Sequence, residues 1–146
     1  MKRFFALFFI ALYALSTGVF GQNDIKSGAA TCPTPTDVAA VHLYGLWHAE
    51  LEGQAQVATL QFERHPDNAG SVRGRVTRGN TTVVAAGDVD EGEFSLEESI
   101  DGQRISATWL GTVVPDSCGK EIRGSWNNAL DNTNTAFVLR KAPGWQ

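Results

Sequence analysis

The chain lacks the residue patterns by which most enzymes and metal proteins are identified. It contains no G-x-S-x-G elbow, phosphate-binding glycine loop, dinucleotide fingerprint or zincin motif. Cys32 and Cys118 are its only cysteines, and they have no zinc-ligand spacing. Two of its three histidines, His42 and His48, are predicted to lie on one strand, roughly 20 Å apart, too far to share a metal. We therefore expect no catalytic activity, no metal and no cofactor.

The sequence also lacks an apolar run long enough to cross a membrane. Its only extended apolar stretch, from Phe4 to Leu15, has 12 residues, whereas a spanning helix needs about 20. Lys2 and Arg3 precede this stretch, and small residues follow it up to Gly21. This three-part layout predicts a secretory signal peptide over residues 1–21. We expect the mature protein to be periplasmic or secreted and not embedded in a membrane.

Basic residues are scarce. Removal of Lys2 and Arg3 with the signal peptide leaves 10 of the 12 basic residues against 16 acidic ones, a net charge of −6. A nucleic-acid-binding domain would present a basic face instead, so we expect no nucleic-acid partner. The 125 residues that follow Gly21 are enough for one hydrophobic core. In an oxidising compartment Cys32 and Cys118 are expected to form a disulfide bond, with two free thiols as the alternative.

Hydrophobic residues alternate with polar ones from Leu43 onward, which is the pattern of a half-buried strand. Turn-forming residues such as Gly79-Asn80 and Asp101-Gly102 separate the alternating segments. The sequence therefore predicts an extended lead-in over 22–42 with a helical turn over 37–42, a β domain over 43–141 and a tail over 142–146. The predicted strands cover residues 43–52, 55–64, 71–78, 81–89, 93–99, 103–113, 119–127 and 135–141.

Eight short strands without crossover helices must pair antiparallel with their neighbours. The simplest arrangement is an all-β, eight-stranded up-and-down barrel, which leaves no exposed edge. A two-sheet β-sandwich is the alternative. Glycines at inward positions, Gly45, Gly74, Gly111 and Gly124, favour the barrel, because strong sheet curvature needs positions without a Cβ atom.

The first strand carries Gly45-Leu46-Trp47, and the last strand ends in Arg140-Lys141. This pattern resembles the calycin superfamily of lipocalins and avidins, in which a G-x-W on the first strand meets a basic side chain from the last strand. The resemblance implies a closed barrel in which Arg140 or Lys141 covers the ring of Trp47, and Lys141 is favoured because it shares the alternation of Phe137 and Leu139. The avidin biotin site is not implied, because Ala49 stands where that family has an asparagine two residues after the tryptophan.

Three tryptophans and two phenylalanines fall on predicted inner faces, which favours an aromatic-lined site for a small apolar or aromatic ligand. Ordinary core filling is the alternative, since side chains can just fill an eight-stranded barrel. The leading hypothesis is an exported, non-catalytic module that binds such a ligand. The candidate ligand-binding residues are Trp47, Phe62, Phe94, Trp109 and Trp126.

Seven of the 16 acidic residues lie between Asp88 and Asp101. The second hypothesis is that this acidic segment binds a basic protein partner, as an inhibitor or immunity-type protein would, through Glu93, Glu97 and Glu98. Paired carboxylates of a glycoside hydrolase and a solvated turn edge are the alternatives. Apolar residues on the outer faces of the predicted strands are also compatible with a homo-oligomer.

Overall fold

A computed structural model describes residues 31–144. Residues 1–30, which include the predicted signal peptide and the first part of the lead-in, lie outside the described residues, as do residues 145–146 of the tail. Within them, a 3-10 turn (Pro35–Asp37) and a one-turn helix, α1 (Ala40–Leu43), precede eight strands. The strands are β1 (Gly45–Leu51), β2 (Ala58–Arg64), β3 (Ser71–Arg78), β4 (Thr81–Asp90), β5 (Glu93–Ser99), β6 (Ile105–Val113), β7 (Glu121–Asn128) and β8 (Thr133–Lys141).

The eight strands form a closed barrel in which each strand pairs antiparallel with the next. β1 and β8 close the ring, and their register places Trp47 opposite Lys141 and Leu51 opposite Phe137. The up-and-down barrel is therefore confirmed, and the two-sheet sandwich is wrong. Closure pairs the backbone of every strand on both sides, which removes the exposed edge that a sandwich would retain.

The start of the first strand differs from the prediction. Leu43 belongs to α1, and β1 begins at Gly45, whose φ of 114° lies in the region that favours glycine. His42 is likewise on α1 rather than on the strand, and its Nδ1 accepts a hydrogen bond of 2.9 Å from the Ala39 N–H. This bond occupies a donor that the short helix leaves free at its start. Leu43 remains buried because α1 packs against one end of the barrel.

We call the barrel end beside α1 the base and the opposite end the mouth. The base is held to the lead-in by the disulfide bond between Cys32 and Cys118, whose Cα atoms are 4.8 Å apart. Cys118 lies in the loop between β6 and β7, so the bridge connects the lead-in to that loop. The predicted disulfide is thus confirmed.

The inward residues of all eight strands form a single hydrophobic core. The rings of Trp109 and Phe137 meet edge to face with centroids 4.9 Å apart, and those of Phe62 and Phe94 are 6.4 Å apart. Such tilted contacts are the preferred geometry of aromatic pairs. The largest fully buried side chains are Trp47, Trp109, Phe62, Phe94, Leu43, Leu60, Leu96, Ile122, Leu139, Glu98, Val72 and Val76.

Gly124 on β7 lies opposite Gly111 on β6, at a point of close approach between the two strands. A Cβ at Gly124 would lie 1.9 Å from the Leu110 carbonyl oxygen and 2.4 Å from the Gly111 Cα. Both contacts are with backbone atoms, which cannot move aside as a side chain would. We expect Gly124→Ala to lower the free energy of unfolding by roughly 1–3 kcal/mol, as overpacking does, in urea titrations. Gly70→Ala, with its nearest contact at 3.6 Å, is the matched control and should change little.

Candidate functional site

A buried ion pair lies inside the barrel near its mouth. Glu98, near the end of β5, is only 1% exposed, although it is a charged residue. Arg78, the last residue of β3, donates from both terminal nitrogens to its carboxylate, at 2.7 and 2.5 Å. The two parallel bonds make this a bidentate pair, the geometry in which arginine holds a carboxylate most strongly. The Arg78 side chain is 25% exposed, so the cation is the member of the pair that faces solvent.

Two indoles complete this mouth cluster of Arg78, Glu98, Trp109 and Trp126. The Trp109 and Trp126 N–H groups donate to Glu98 Oε1 at 2.6 and 3.3 Å. The Arg78 guanidinium also lies 5.0 Å from the centroid of the Trp126 ring, which is cation–π distance. A buried carboxylate is tolerated when it is paired and fully hydrogen-bonded. The described residues contain no buried side-chain polar atom without a hydrogen-bond partner, so the cluster is satisfied as it stands.

The prediction that Glu98 lies with Glu93 and Glu97 on an outer, protein-binding face is wrong. The Glu98 side chain points into the barrel and is buried. The signal was present in the sequence, because Glu98 shares the alternation of Phe94 and Leu96, which are both buried. Arg78 shares the alternation of the buried Val76 in the same way. Two inward charges of opposite sign at the same barrel end would have predicted their pairing.

The five candidate ligand-binding residues, Trp47, Phe62, Phe94, Trp109 and Trp126, are all inward and at most 8% exposed. Their rings contact one another and neighbouring side chains, as the 6.3 Å separation of the Trp109 and Trp126 rings illustrates. Phe62 also lines a surface cleft at the base, together with Val41, Tyr44 and Arg64. The structure therefore brings the three indoles into the interior and packs them as core.

The acidic segment divides between the two faces of the barrel. Glu93 and Glu97 lie on the outer face of β5 and are exposed, unlike Glu98. Beside them on β4 and its turn lie three further exposed acids, and we call the five residues the acidic face. Among the described residues no cation forms an ion pair with any member of this face. Its members are Asp88, Asp90, Glu91, Glu93 and Glu97.

At the base, the Lys141 ammonium lies 5.8 Å from the centroid of the Trp47 ring. It donates to the His42 carbonyl oxygen at 2.7 Å, while the Trp47 N–H donates to the Leu43 carbonyl oxygen, also at 2.7 Å. Desolvation by burial lowers the pKa of Lys141, and repulsion from Lys120 lowers it further. Arg140 instead points outward and pairs with Glu50 and Glu121. The basic residue over the first-strand tryptophan is thus Lys141.

Within residues 31–144 no group of three or more histidine, cysteine or acidic side chains is placed to hold a metal ion. No helix in that part of the chain is long and apolar enough to cross a membrane. A scan against protein-family models gives no match. A comparison with curated protein sequences gives no significant match either.

Proposed function

We propose that this chain is an exported, non-catalytic binding module that engages a basic protein partner through the acidic face of β4 and β5. The observation that carries the proposal is the set of five neighbouring, exposed carboxylates, none of which has a cation partner among the described residues. Like charges on adjacent strands repel one another. A partner that brings positive charge to this face would relieve that repulsion and would be steered towards it.

The packing of the inward aromatic rings supports an outer-surface function over an internal ligand site. A small ligand inside the barrel would have to displace packed rings such as those of Trp109 and Phe137, 4.9 Å apart. It would also have to pass the Arg78–Glu98 pair at the mouth. Binding in a barrel is ordinarily associated with a preformed cavity of at least about 300 Å³. The aromatic core therefore serves as the scaffold that holds the outer face rigid.

The arrangement of charge narrows the kind of partner. Arg73 and Arg75 lie on the outer face of β3, directly beside β4. Arg73 is paired with Glu63, whereas Arg75 has no ion-pair partner among the described residues, so Arg75 brings positive charge next to the acidic face. A partner that fits both would present positive charge opposite β5 and avoid it opposite β3. Such a two-sign surface discriminates between partners better than a uniformly acidic one, because juxtaposed like charges are costly.

Charge reversal tests the proposal. We expect the Glu93→Lys/Glu97→Lys variant to lose capture of the partner from envelope extracts or secretions when the protein is immobilised. Association should slow at least about tenfold, and raising the salt concentration should weaken wild-type binding, because exposed charges act mainly on encounter and are screened. The captured protein is identified by mass spectrometry, and the association rate is then measured with the purified partner.

The Glu52→Lys/Asp67→Lys variant is the matched control. It changes the net charge equally, and both residues are exposed acids outside the acidic face. It should capture the same protein as wild type. Equal capture by both reversed variants, or capture that is indifferent to salt, would overturn the proposal. Titration of wild type with an apolar dye provides the opposing arm, because a response from the buried indoles would favour an internal ligand.

We further infer a periplasmic or secreted location and a calycin-like relationship. The disulfide bond supports the location, because such bonds persist in oxidising compartments. The stacking of Lys141 on Trp47 at the end of a closed eight-stranded barrel supports the relationship. Both inferences agree with a binding scaffold that functions outside the cytoplasm.

A further inference from the structure

A cleft of about 390 Å³ opens at the base of the barrel. It lies between α1, the start of β1 and the end of β2. Gly45, at the start of β1, contributes no side chain to fill it. Strands β8 and β2 flank β1, so side chains from their base ends converge on this gap from both sides.

Two cations line the cleft. Lys141 reaches it from β8 and Arg64 from β2, and neither forms an ion pair with a described carboxylate. Glu63, also in the lining, is paired with Arg73 at 2.8 Å. An ammonium group has three donors, and one of those on Lys141 is used by the His42 carbonyl oxygen. Unpaired cations on both sides of one cleft are unexpected in a chain whose net charge is −4.

Gln61 adds one uncharged polar side chain to the lining, and the remaining walls are apolar. Val41 on α1 is 60% exposed, a high value for a β-branched hydrophobic residue. Tyr44 is partly buried and packs against the core, and Phe62, which is 1% exposed, also lines the cleft. An exposed apolar surface beside donor groups that lack an acceptor is the usual composition of a small-molecule site.

We propose that this cleft binds a small anionic amphiphile, a carboxylate joined to an apolar body. The carboxylate lies between Arg64 and Lys141, and the apolar body lies along Val41 and Tyr44. The strands β8 and β2 are about 10 Å apart across β1, since each strand spacing is about 4.8 Å. The register sets Lys141 opposite Trp47 and Phe62 opposite Gly45, so Arg64 is offset from Lys141 by roughly a further 14 Å along the strands. Long cationic side chains at these two positions can extend towards a carboxylate that lies between them. The lowered pKa of Lys141 agrees with an ammonium group that would gain from a counter-ion.

Dodecanoate, kept below its micelle concentration, is the probe, and dodecanol is the uncharged comparison. We expect calorimetric titration to show dodecanoate binding that is at least about tenfold tighter than that of dodecanol. Arg64→Gln should weaken dodecanoate binding about tenfold, as loss of one charge-assisted hydrogen bond does, and Arg64→Lys should retain most of it. Val41→Asp, at an exposed position, should also weaken it by placing a like charge in the cleft.

Arg75→Gln is the matched control. Arg75 is an outward residue of the neighbouring strand β3 and, like Arg64, forms no ion pair among the described residues. Its replacement should leave dodecanoate binding unchanged. Equal affinity for dodecanoate and dodecanol, or equal weakening by Arg64→Gln and Arg75→Gln, would overturn the inference. The Glu93→Lys/Glu97→Lys variant should bind dodecanoate at least as well as wild type. The proposal for the cleft and the proposal for the acidic face can therefore be refuted independently of each other.

Discussion

Replacing Glu98 with alanine is expected to lower the free energy of unfolding by about 3–5 kcal/mol, the cost of removing one partner from a buried pair. The variant would leave the Arg78 guanidinium and two indole N–H groups at the mouth without their acceptor. Because the Arg78 side chain is 25% exposed, water should solvate part of the freed cation, which favours the lower end of that range. Urea unfolding followed by tryptophan emission measures the loss.

Two comparison variants identify the cause. Glu63→Ala removes one partner of the exposed Arg73–Glu63 pair and should cost at most about 1 kcal/mol. The double variant Arg78→Met/Glu98→Leu removes both buried charges and should recover much of the loss, because a hydrophobic replacement needs no desolvated partner. A Glu98→Ala variant no less stable than Glu63→Ala would show that the mouth cluster contributes little to stability.

Removing the disulfide bond is expected to have an effect of similar size. Cys32 and Cys118 are separated by 86 residues in sequence, and closing a loop of that length in the unfolded chain corresponds to about 4–5 kcal/mol in the chain-entropy model. The Cys32→Ala/Cys118→Ala variant should lose stability by this amount in the same urea titration. Wild type unfolded under reducing conditions should show the same loss, while the variant should be indifferent to the reductant. A reduced wild type as stable as the oxidised protein would contradict the prediction.

Most of the fold could be predicted from the sequence, because each strand has one buried and one solvated face. Alternation therefore predicted most of the strands, β4 was predicted from its β-branched and small residues, and glycine-rich or asparagine-rich turns predicted the connections. The prediction was wrong at the start of β1, because Leu43 is a buried residue of α1 and does not belong to the strand. A short helix and a strand that bury the same residue cannot be separated by hydrophobicity alone.

Less of the candidate site could be predicted, because its properties depend on packing between strands. Charge alone placed Glu98 with its acidic neighbours, whereas its position in the alternation places it beside Leu96 in the core. Whether three inward indoles enclose a void depends on how their rings meet those of residues such as Phe137, and this depends on register and rotamers. The base cleft depends on α1 lying across β2, a contact that local sequence does not specify.

The pairing of β1 with β8 has a consequence for how the molecule is made. Glu50 and Arg140, joined across that seam, are 90 residues apart, so the seam cannot form until β8 is available. Seven strands can assemble by adding neighbours, yet the ring stays open until then, with two unpaired edges. Contacts this distant in sequence slow folding. Closure of the barrel is therefore tied to delivery of β8, and a chain truncated before Thr133 would present open edges to other chains.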